Sequence, residues 1–572
     1  MSLDNIRRQL AHPVTSIQLS LLGVLAGISS AVMIILFRLS IEKLQLLFVV
    51  QFDNFTSLTS LERFALPLAG SLLIAGSAII SRYKHYRMGI PFVIHRIKMK
   101  YGDMPIKNAI NQFVGGILAL VSGFSVGREG PSVHIGASSA SYVGVWLKLP
   151  YNSIRTLTGC GISAAIAASF NTPLAAVIFV MEVVFREYKI HVFIPIMLSA
   201  VIGAMLTRMV FGDHHELSFF TIDKIDSINY LYLIVCSAML SAVAWAFNSS
   251  MMSVMIAFRP VGMVTRLLLA GIITAIIGYF VPHALGSGMG AIQFALSDTS
   301  GFKLIAAIFI SKFFATILAL GLGIPGGIIG PILGLGVLLG ALFGIASASL
   351  GLDNDHIALY AALGMGGLMA ATLHSPLAAL VALLELTANP DLIAPAMFVI
   401  TLSYIFSVQW FGNRSILLRQ LEYQQLEYKV SPATEALQKV GVLAYLDNNY
   451  QIIDDTNEEE VSHYLSTQQN DHSLIIRDNY VVGSELKLAE YTKDAFIDEG
   501  VLAARSVDEQ QQIHYWPMQG VSSQATLAEA FELLHSKRGG AVYIYQDNFE
   551  NIVGIIRWHQ LRRLLIERNK LI

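Results

Sequence analysis

Glu129 lies in a short segment whose residue types suit the binding of a small anion. The segment reads GREGP at 127–131 and is named here the first break. Pro131 favours a helix start, because an N–H has no partner at the first helical position, and Gly127 and Gly130 let a guest approach closely. N–H groups at a helix N-terminus, with the helix dipole behind them, bind anions. An ionised Glu129 can take the anion's place, and its protonation or displacement would open the site.

A partner of this segment lies 200 residues further along the chain, as GIIGP at 327–331, named here the second break. Two converging helix N-termini would hold a bare anion without a cationic side chain. A full positive charge would bind the anion too tightly to release it. Arg128 is therefore interpreted as structural, neutralising nearby carbonyl groups or a carboxylate. The alternative is that both breaks only allow close helix packing, as small residues do in membranes.

A second matched pair of segments shows that the chain is internally duplicated. Residues 161–182 and 364–385 share Gly, then Pro-Leu-Ala-Ala twelve residues later, then Glu nine residues after the Pro, at an offset of 203. Two matched blocks in the same order predict a tandem repeat of about 200 residues. Duplicated halves with paired Gly/Pro interruptions indicate a transport site where the halves meet. Glu182 and Glu385, which are equivalent in the repeat, are predicted to cap neighbouring helices.

The composition places this repeat in a membrane. Hydrophobic residues make up 54% of the chain and charged residues 14%, against about 25% charged in soluble domains. Residues 156–181, 267–297 and 313–352 contain no Asp, Glu, Lys or Arg. Each is long enough to cross a bilayer, and the Gly/Pro interruptions predict broken helices whose loose backbone lines a cavity.

The charges divide the chain into a body and a tail. Residues 431–572 contain 12 basic and 21 acidic residues, whereas the remainder contains 26 basic and 19 acidic. We predict an N-terminal cytoplasmic segment at 1–15 (from Arg7 and Arg8), a membrane body at 16–425 with halves of about 16–212 and 228–411, and a cytoplasmic tail at 431–572. No cleavable signal peptide is expected.

The motifs resemble those of the CLC family of chloride channels and chloride/proton exchangers. The similar segments are GREGPSVHIGA, MGIP, GGIIGP and FNTPLAAVIFVME, at 127–137, 88–91, 326–331 and 170–182. The resemblance covers nearly all of 15–425 and implies an all-α polytopic inverted repeat of about eighteen helices in a homodimer. It also implies that Glu129 is the gate. The implied anion-binding residues are Met88, Gly89, Ile90, Gly127, Arg128, Glu129, Gly130, Gly327, Ile328, Ile329 and Asn413.

Three of these positions depart from the family pattern. Met88 replaces a serine that coordinates the central anion, and a thioether cannot donate a hydrogen bond. Since the fluoride-exporting branch of the family also has methionine there, fluoride stays open. Asn413 stands about where the family has a tyrosine, and Ile329 replaces a phenylalanine while keeping the backbone donors.

A fourth departure concerns proton coupling. Exchangers of the family carry an internal glutamate where this chain has Val183, and a proton crossing an apolar interior needs an ionisable relay. The valine favours a channel. Glu187 is a possible substitute, although its position at a helix end indicates a solvated residue. His134 is interpreted as packed and hydrogen-bonded, and the His-His-Glu run at 214–216 as a turn rather than a metal site.

The tail resembles a pair of CBS modules, more clearly in its second half. Predicted strands at 473–476, 541–545 and 552–556 alternate with predicted helices at 526–536 and 559–567. The ribose-binding acid that such modules use is absent from 557–560 (Arg-Trp-His-Gln). A structural or regulatory cap is therefore expected, without a nucleotide.

The leading hypothesis is a dimeric chloride channel of the cell (inner) membrane, opened at Glu129 by voltage or acid pH. The alternatives are a chloride/proton antiporter and a fluoride-selective transporter. An enzyme is not expected, because neither a metal-ligand set nor a nucleophile–base pair is evident. Cofactors, metals and nucleic acid are likewise not expected.

Overall fold

The computed structural model describes most of the membrane body and parts of the tail. The described residues are 3–82, 89–212, 229–296, 301–351, 357–428, 431–454, 461–462, 464–465, 473–478, 485–491 and 513–566. Met88 lies outside these ranges, as does the segment at 214–216. The chain divides into a larger unit, Ser20–Val143 with Arg155–Tyr428, and a smaller unit, Met1–Leu19 with Gly144–Ile154 and Lys429–Ile572.

The body is built from two series of helices, one in each half of the repeat. After α1 (Leu3–Ala11), the first series is α2 (Ile17–Gln45), α3 (Ser60–Ile80), α4 (Gly89–Met99), α5 (Ile106–Val121), α6 (Glu129–Trp146), α7 (Tyr151–Phe170), α8 (Pro173–Phe179), a π-helical segment (Val180–Phe185) and α9 (Ile190–Phe211). The second series is α10 (Asn229–Ala257), α11 (Met263–Phe280), α12 (Met289–Ala295), α13 (Phe302–Leu322), α14 (Ile329–Ser349), α15 (Ile357–Leu373), α16 (Pro376–Thr387), α17 (Ile393–Gln409) and α18 (Ile416–Tyr423). Short 3-10 turns lie at Phe55–Ser57, Pro282–Ala284, Pro390–Leu392 and Val442–Ala444.

Eight segments in the described part of the chain are long and apolar enough to cross a membrane. They are Ile17–Gln45, Ser60–Ile80, Ile190–Phe211, Tyr230–Ala257, Met263–Phe280, Phe302–Leu322, Ile329–Ser349 and Pro390–Gln409. Shorter apolar helices such as α5 and α15 lie between them, as the Gly/Pro interruptions predict. The chain is a multi-pass membrane protein, and the predicted helical fold class is confirmed.

The two breaks start equivalent helices in the two halves. Helix α6 begins at Glu129 and α14 at Ile329, each two residues before the proline of its break. The prolines therefore occupy the first helical turn, where backbone N–H groups have no partner within the helix. In α8 and α16 the proline is itself at the start of the helix.

Two glutamates tie the halves together through exchanged helix caps. The Glu182 carboxylate accepts hydrogen bonds from the N–H groups of 377–378 at the start of α16, at 3.2 and 2.7 Å. The Glu385 carboxylate accepts from the N–H groups of 174–175 at the start of α8, at 2.9 and 2.7 Å. The predicted capping role of both acids is confirmed. Each half caps a helix of the other, so the halves are related by an approximate two-fold exchange.

The tail contains two small sheets with matching strand order. Its elements are α19 (Pro432–Leu437), β1 (Tyr450–Asp454), β2 (Ser473–Asp478), β3 (Glu485–Tyr491), β4 (Ile513–Pro517), β5 (Gln519–Ser522), α20 (Leu527–His535), β6 (Ala541–Gln546), β7 (Asn548–Arg557) and α21 (Trp558–Ile566). In each sheet a parallel pair, β1–β2 or β5–β6, continues into an antiparallel partner, β3 or β7. This α/β arrangement is consistent with the predicted CBS pair.

The smaller unit also includes the connection between α6 and α7. Within this unit the Tyr151 N–H donates to the Gln524 carbonyl at 2.8 Å, and the Lys148 ammonium contacts the Asp547 carboxylate at 2.6 Å. The Lys148 ammonium lowers the pKa of the exposed Asp547 carboxyl. The unit's core packs α20 and α21 on β6, with Leu527, Ile544 and Leu561 fully buried.

The exchanged caps predict that Glu385→Ala destabilises the membrane body. The substitution removes two hydrogen bonds to a charged acceptor and leaves N–H groups of α8 without partners, a loss of about 2 kcal/mol or more. We expect a lower thermal midpoint in detergent, and a similar loss for Glu182→Ala. Glu532→Ala, at an exposed position of the tail, is the control, and an equal midpoint for all three variants would contradict the capping role.

Candidate functional site

The two breaks are joined directly to each other by backbone hydrogen bonds. The Gly127 N–H donates to the Gly327 carbonyl at 2.7 Å, and the Gly327 N–H donates to the Gly127 carbonyl at 2.6 Å. The pair forms an isolated antiparallel bridge. The predicted meeting of the two halves at their breaks is therefore present at the backbone level.

The Glu129 side chain lies in a cradle of glycines drawn from both halves. Its side chain is buried, with 2% exposed. A Cβ atom at Gly127 would overlap the carboxylate, one at Gly327 would lie 2.6 Å from Oε2, and one at Gly330 would lie 2.8 Å from Oε1. Only glycine leaves room for the carboxylate at these positions. A small anion would fit the same space once the carboxylate has left it.

Gly130 of the first break also lies close to the start of the second break. A Cβ atom at Gly130 would lie 2.8 Å from the Gly326 carbonyl oxygen. Ile328 and Ile329 are buried, and Ile328 lines the cavity described below. Arg128 is buried too, with its guanidinium 4.7 Å from the centre of the Phe170 ring.

Helix α5 packs against the prolines beside both breaks. A Cβ atom at Gly115 would lie 2.9 Å from Cγ of Pro325, and one at Gly116 would lie 3.0 Å from Cγ of Pro131. Two adjacent glycines thus allow the α5 backbone to contact both halves of the site. Helix α5 consequently fixes the distance between the two breaks on one side.

A cavity of about 260 Å³, named here the larger cavity, brings three predicted anion-binding segments together. It is lined by Gly89 and Ile90 of α4, Gly130 of the first break, and Gly327 and Ile328 of the second break. Gly89 has a φ of +79°, a left-handed conformation that glycine adopts without strain. The described lining residues include no Asp or Glu, so the electrostatics favour an anion.

A smaller cavity of about 20 Å³ lies against Glu129 itself. Its lining includes Arg128, Glu129, Phe170, Ser287 and Gly330. Glu129 lines the smaller cavity, whereas its neighbour Gly130 lines the larger one. The two cavities therefore approach each other at the first break.

A buried charged pair that the sequence interpretation missed supports the loop that lines the smaller cavity. The Asp53 carboxylate accepts from the Ser287 N–H and O–H, both at 2.9 Å, and from the Met289 N–H at 3.2 Å. Lys312 is fully buried, and its ammonium donates to the Gly286 carbonyl at 3.1 Å and to Ser125 Oγ at 3.3 Å. Burial raises the pKa of the Asp53 carboxyl, and the Ser287 donors oppose the rise.

Asn413 lies in a buried polar network. Its Nδ2 donates to the Ala371 carbonyl at 3.2 Å and to Ser407 Oγ at 3.0 Å. Its Oδ1 accepts from Asn248 Nδ2 at 3.1 Å and from the Arg414 N–H at 3.0 Å. These bonds connect α10, α15 and α17 to the start of α18.

The side chains relevant to proton transfer are buried or only slightly exposed. Val183 is 5% exposed in the π-helical segment. Glu187 is not the solvated residue that its sequence position indicates, because its side chain is 12% exposed and contacts Arg155 Nη2 at 3.1 Å. His134 is packed as predicted, stacked on Phe92 at 5.5 Å. Within the described residues, however, neither ring nitrogen of His134 has a hydrogen-bond partner.

The glycine cradle predicts that Gly327→Ala abolishes anion flux. The added methyl group would lie 2.6 Å from Glu129 Oε2 and 2.5 Å from the Gly130 nitrogen, so the carboxylate and the bridge cannot both stay in place. The measurement is chloride efflux from proteoliposomes. Gly76→Ala is the control, because a Cβ atom there has no neighbour within 4 Å. Unchanged efflux in Gly327→Ala would contradict the cradle.

The buried pair predicts that Lys312→Met reduces both stability and flux. The substitution removes the donor to two loop carbonyls and to Ser125, a loss of about 2 kcal/mol or more, and it loosens the loop that lines the smaller cavity. Thermal midpoint and chloride efflux are the measurements. Lys303→Met, exposed at the start of the same helix, is the control. Equal behaviour of the two variants would show that the loop does not depend on Lys312.

Comparisons with known proteins agree with this geometry. The family model described as "Voltage gated chloride channel" matches residues 69–408. The H(+)/Cl(-) exchange transporter ClcA of Salmonella paratyphi B and that of Salmonella newport are each 29% identical over 342 residues, covering 57% of this chain and 70% of the relative.

Solved structures show the same fold at lower identity. A slow cyanobacterial Cl-/H+ antiporter matches with a TM-score of 0.62 and 22% identity, covering 71% of this chain and 96% of the other. A CLC-type fluoride/proton antiporter matches with a TM-score of 0.57 and 21% identity, covering 68% of this chain and 95% of the other. A eukaryotic CLC transporter matches with a TM-score of 0.58 and 18% identity, covering 97% of this chain and 98% of the other. With the joined breaks and the matched family model, the chain belongs to the CLC family of anion-transport proteins.

Proposed function

We propose that this protein exchanges chloride, or a similar small anion, for protons through the gap between the two breaks, with Glu129 as the gate. The observation that carries the proposal is the Glu129 carboxylate in a cradle of glycines from both halves, in a break that lines two cavities. The names of the Salmonella relatives support exchange rather than conduction, because they are H(+)/Cl(-) exchange transporters.

The mechanism uses one space for two occupants. The ionised Glu129 side chain fills the gap and excludes the anion, because two negative charges repel strongly where water is scarce. Protonation removes that charge, and the neutral side chain can leave the cradle. An anion then enters the gap from either cavity. When the anion leaves, the carboxyl returns to the cradle and can release its proton to the side of the membrane opposite the one that supplied it. Each anion passage is therefore linked to a proton.

The proposed anion ligands are the predicted residues of the three segments. They are Met88, Gly89 and Ile90, then Gly127, Arg128, Glu129 and Gly130, then Gly327, Ile328 and Ile329, with Asn413. Backbone N–H groups at helix starts supply most of the donors. Asn413 differs from the others because its amide already bonds to Ala371 and Ser407. Its proposed contribution is through the position of α18.

A channel is the second candidate, and a specific residue favours it. Val183 supplies no ionisable group in the π-helical segment, and Glu187 is held by Arg155. Without a relay on that side, a proton has no path across the apolar interior. Under this alternative Glu129 still opens and closes the path, in response to voltage or acid pH. Fluoride in place of chloride is the third candidate, which rests on Met88.

The remaining proposals concern assembly and domain organisation. The protein is proposed to be a homodimer of the cell membrane, with one pathway per subunit. The proposed domains are a cytoplasmic segment at 1–15, the transport body at 16–425 with halves of about 16–212 and 228–411, and a cytoplasmic CBS-like cap at 431–572. No nucleotide is proposed for the cap, since 557–560 lacks the ribose-binding acid.

Reconstitution in liposomes tests exchange against conduction. Under a chloride gradient, an exchanger moves protons against their own gradient in fixed proportion to chloride, and external pH records that movement. A channel gives chloride current that reverses at the chloride Nernst potential, with no uphill proton movement. Repeating the measurement with fluoride distinguishes the third candidate. The absence of any anion flux would contradict all three.

For Glu129→Gln we expect anion flux to continue while proton movement and pH dependence are lost. Glutamine has nearly the same shape, but it cannot ionise to close the gap or carry a proton. Parallel recordings of chloride and pH in proteoliposomes measure both quantities. Asp391→Asn, an exposed acid of the same unit, is the control. Proton movement that persists in Glu129→Gln would remove Glu129 from the proposed role.

A further inference from the structure

Gln112 is a buried amide whose hydrogen-bonding capacity is unused in the described structure. Its side chain is fully buried within α5. Within the described residues neither Oε1 nor Nε2 has a hydrogen-bond partner, although this side chain lines the larger cavity. Buried polar groups are nearly always satisfied by protein, water or ligand. The amide therefore indicates that the cavity holds an occupant beside it.

The position of Gln112 relative to the breaks follows from its helix. Residues three and four apart share one face of a helix, so Gln112 shares a face with Gly115 and Gly116. Those two glycines contact the prolines beside the breaks. Gln112 precedes them by one turn, and helical side chains lean towards the N-terminus. The Gln112 side chain thus borders the larger cavity about one turn, or roughly 5 Å, away from the contact with the breaks.

Arg266 adds a second unused donor to the same cavity. It lies in the first turn of α11 and lines the larger cavity, and its buried Nε has no hydrogen-bond partner within the described residues. Arg259 is the other described charged residue of the lining, with its guanidinium over the Tyr423 ring. The charged groups of this lining are therefore both cations. An anion is favoured over a cation or a neutral solute.

We propose that Gln112 and Arg266 form a side-chain site that holds the transported anion in the larger cavity before it enters the gap. The inference rests on the proposed function. The anion accepts a hydrogen bond from Gln112 Nε2 and one from Arg266 Nε, and water satisfies Gln112 Oε1. A cavity of about 260 Å³ has room for a monovalent anion with several waters. In a cavity with room for several waters the single guanidinium attracts the anion less strongly than it would in a dry site, so the anion can still move on.

Bromide replaces chloride as the probe of this site, because its anomalous scattering locates it. In crystals of the full-length protein grown in bromide, we expect an anomalous peak within hydrogen-bond distance of Gln112 Nε2. The peak should be lost in Gln112→Leu, which removes the amide and keeps a side chain of similar size. The chloride concentration for half-maximal flux should rise about tenfold or more in this variant, as expected for one lost hydrogen bond to an ion.

Two further variants separate this site from a general effect on the cavity. Gln420→Leu removes another amide of the same lining, and we expect it to leave the half-maximal concentration unchanged. Arg266→Leu should raise that concentration as Gln112→Leu does. If Gln112 and Arg266 share one anion, combining the two substitutions should raise the half-maximal concentration by less than the product of the two single increases. The reason is that the effects of groups that share a ligand are not additive.

The outcomes distinguish this inference from the proposed function. Bromide in the gap but absent beside Gln112 would overturn the inference and leave the proposed function intact. A peak beside Gln112 with an unchanged half-maximal concentration in Gln112→Leu would also overturn it, since the ion would then be adventitious. Bromide beside Gln112 in a protein that carries no anion flux would overturn the proposed function instead. The bromide peak is first sought in the unaltered protein, so this part of the test does not depend on whether a variant folds.

Discussion

The bridge between Gly127 and Gly327 is the contact on which the rest of this membrane body depends. Two backbone hydrogen bonds of 2.7 and 2.6 Å join halves that are 200 residues apart in the chain. They set the spacing of the helix N-termini at α6 and α14, and so the width of the gap that Glu129 fills. A side chain at either glycine would collide with the carboxylate. The duplication therefore matters for the site because it brings two similar backbone segments into register.

The two halves share the same backbone arrangement at the breaks but differ in the side chains that they place there. Both supply a glycine–proline helix start, but only the first break carries an ionisable side chain; the second has Ile329 at the equivalent position. Around them, two cationic side chains are each held by other groups of the body. Arg128 lies over Phe170, and Lys312 is held behind the loop at 284–289. In the proposed pathway the anion would be surrounded mainly by backbone dipoles, which attract it without trapping it.

The parts of the structure that could be predicted from the sequence are those that occur in both halves of the repeat. The breaks, the helix starts at Pro173 and Pro376, and the two exchanged caps all follow from comparing the chain with itself. Gln112 and Lys312 lie 200 residues apart, at the offset of the two breaks, but their side chains differ, so comparing the halves does not mark either of them. Whether such a residue faces lipid, solvent or a cavity depends on helix rotation and on contacts with distant loops. Lys312 did give one signal, because it directly precedes forty residues without charge.

The exchanged caps of Glu182 and Glu385 have a consequence for how the chain is made. A ribosome delivers the first half to the membrane while the second is still being synthesised. Until α16 arrives, the Glu182 carboxylate lacks the N–H groups that solvate it, and a bare carboxylate at membrane depth costs roughly 3 kcal/mol or more. The N–H groups at the start of α8 wait in turn for Glu385. The first half therefore cannot complete these hydrogen bonds by itself, and both caps form only when the second half lies beside it.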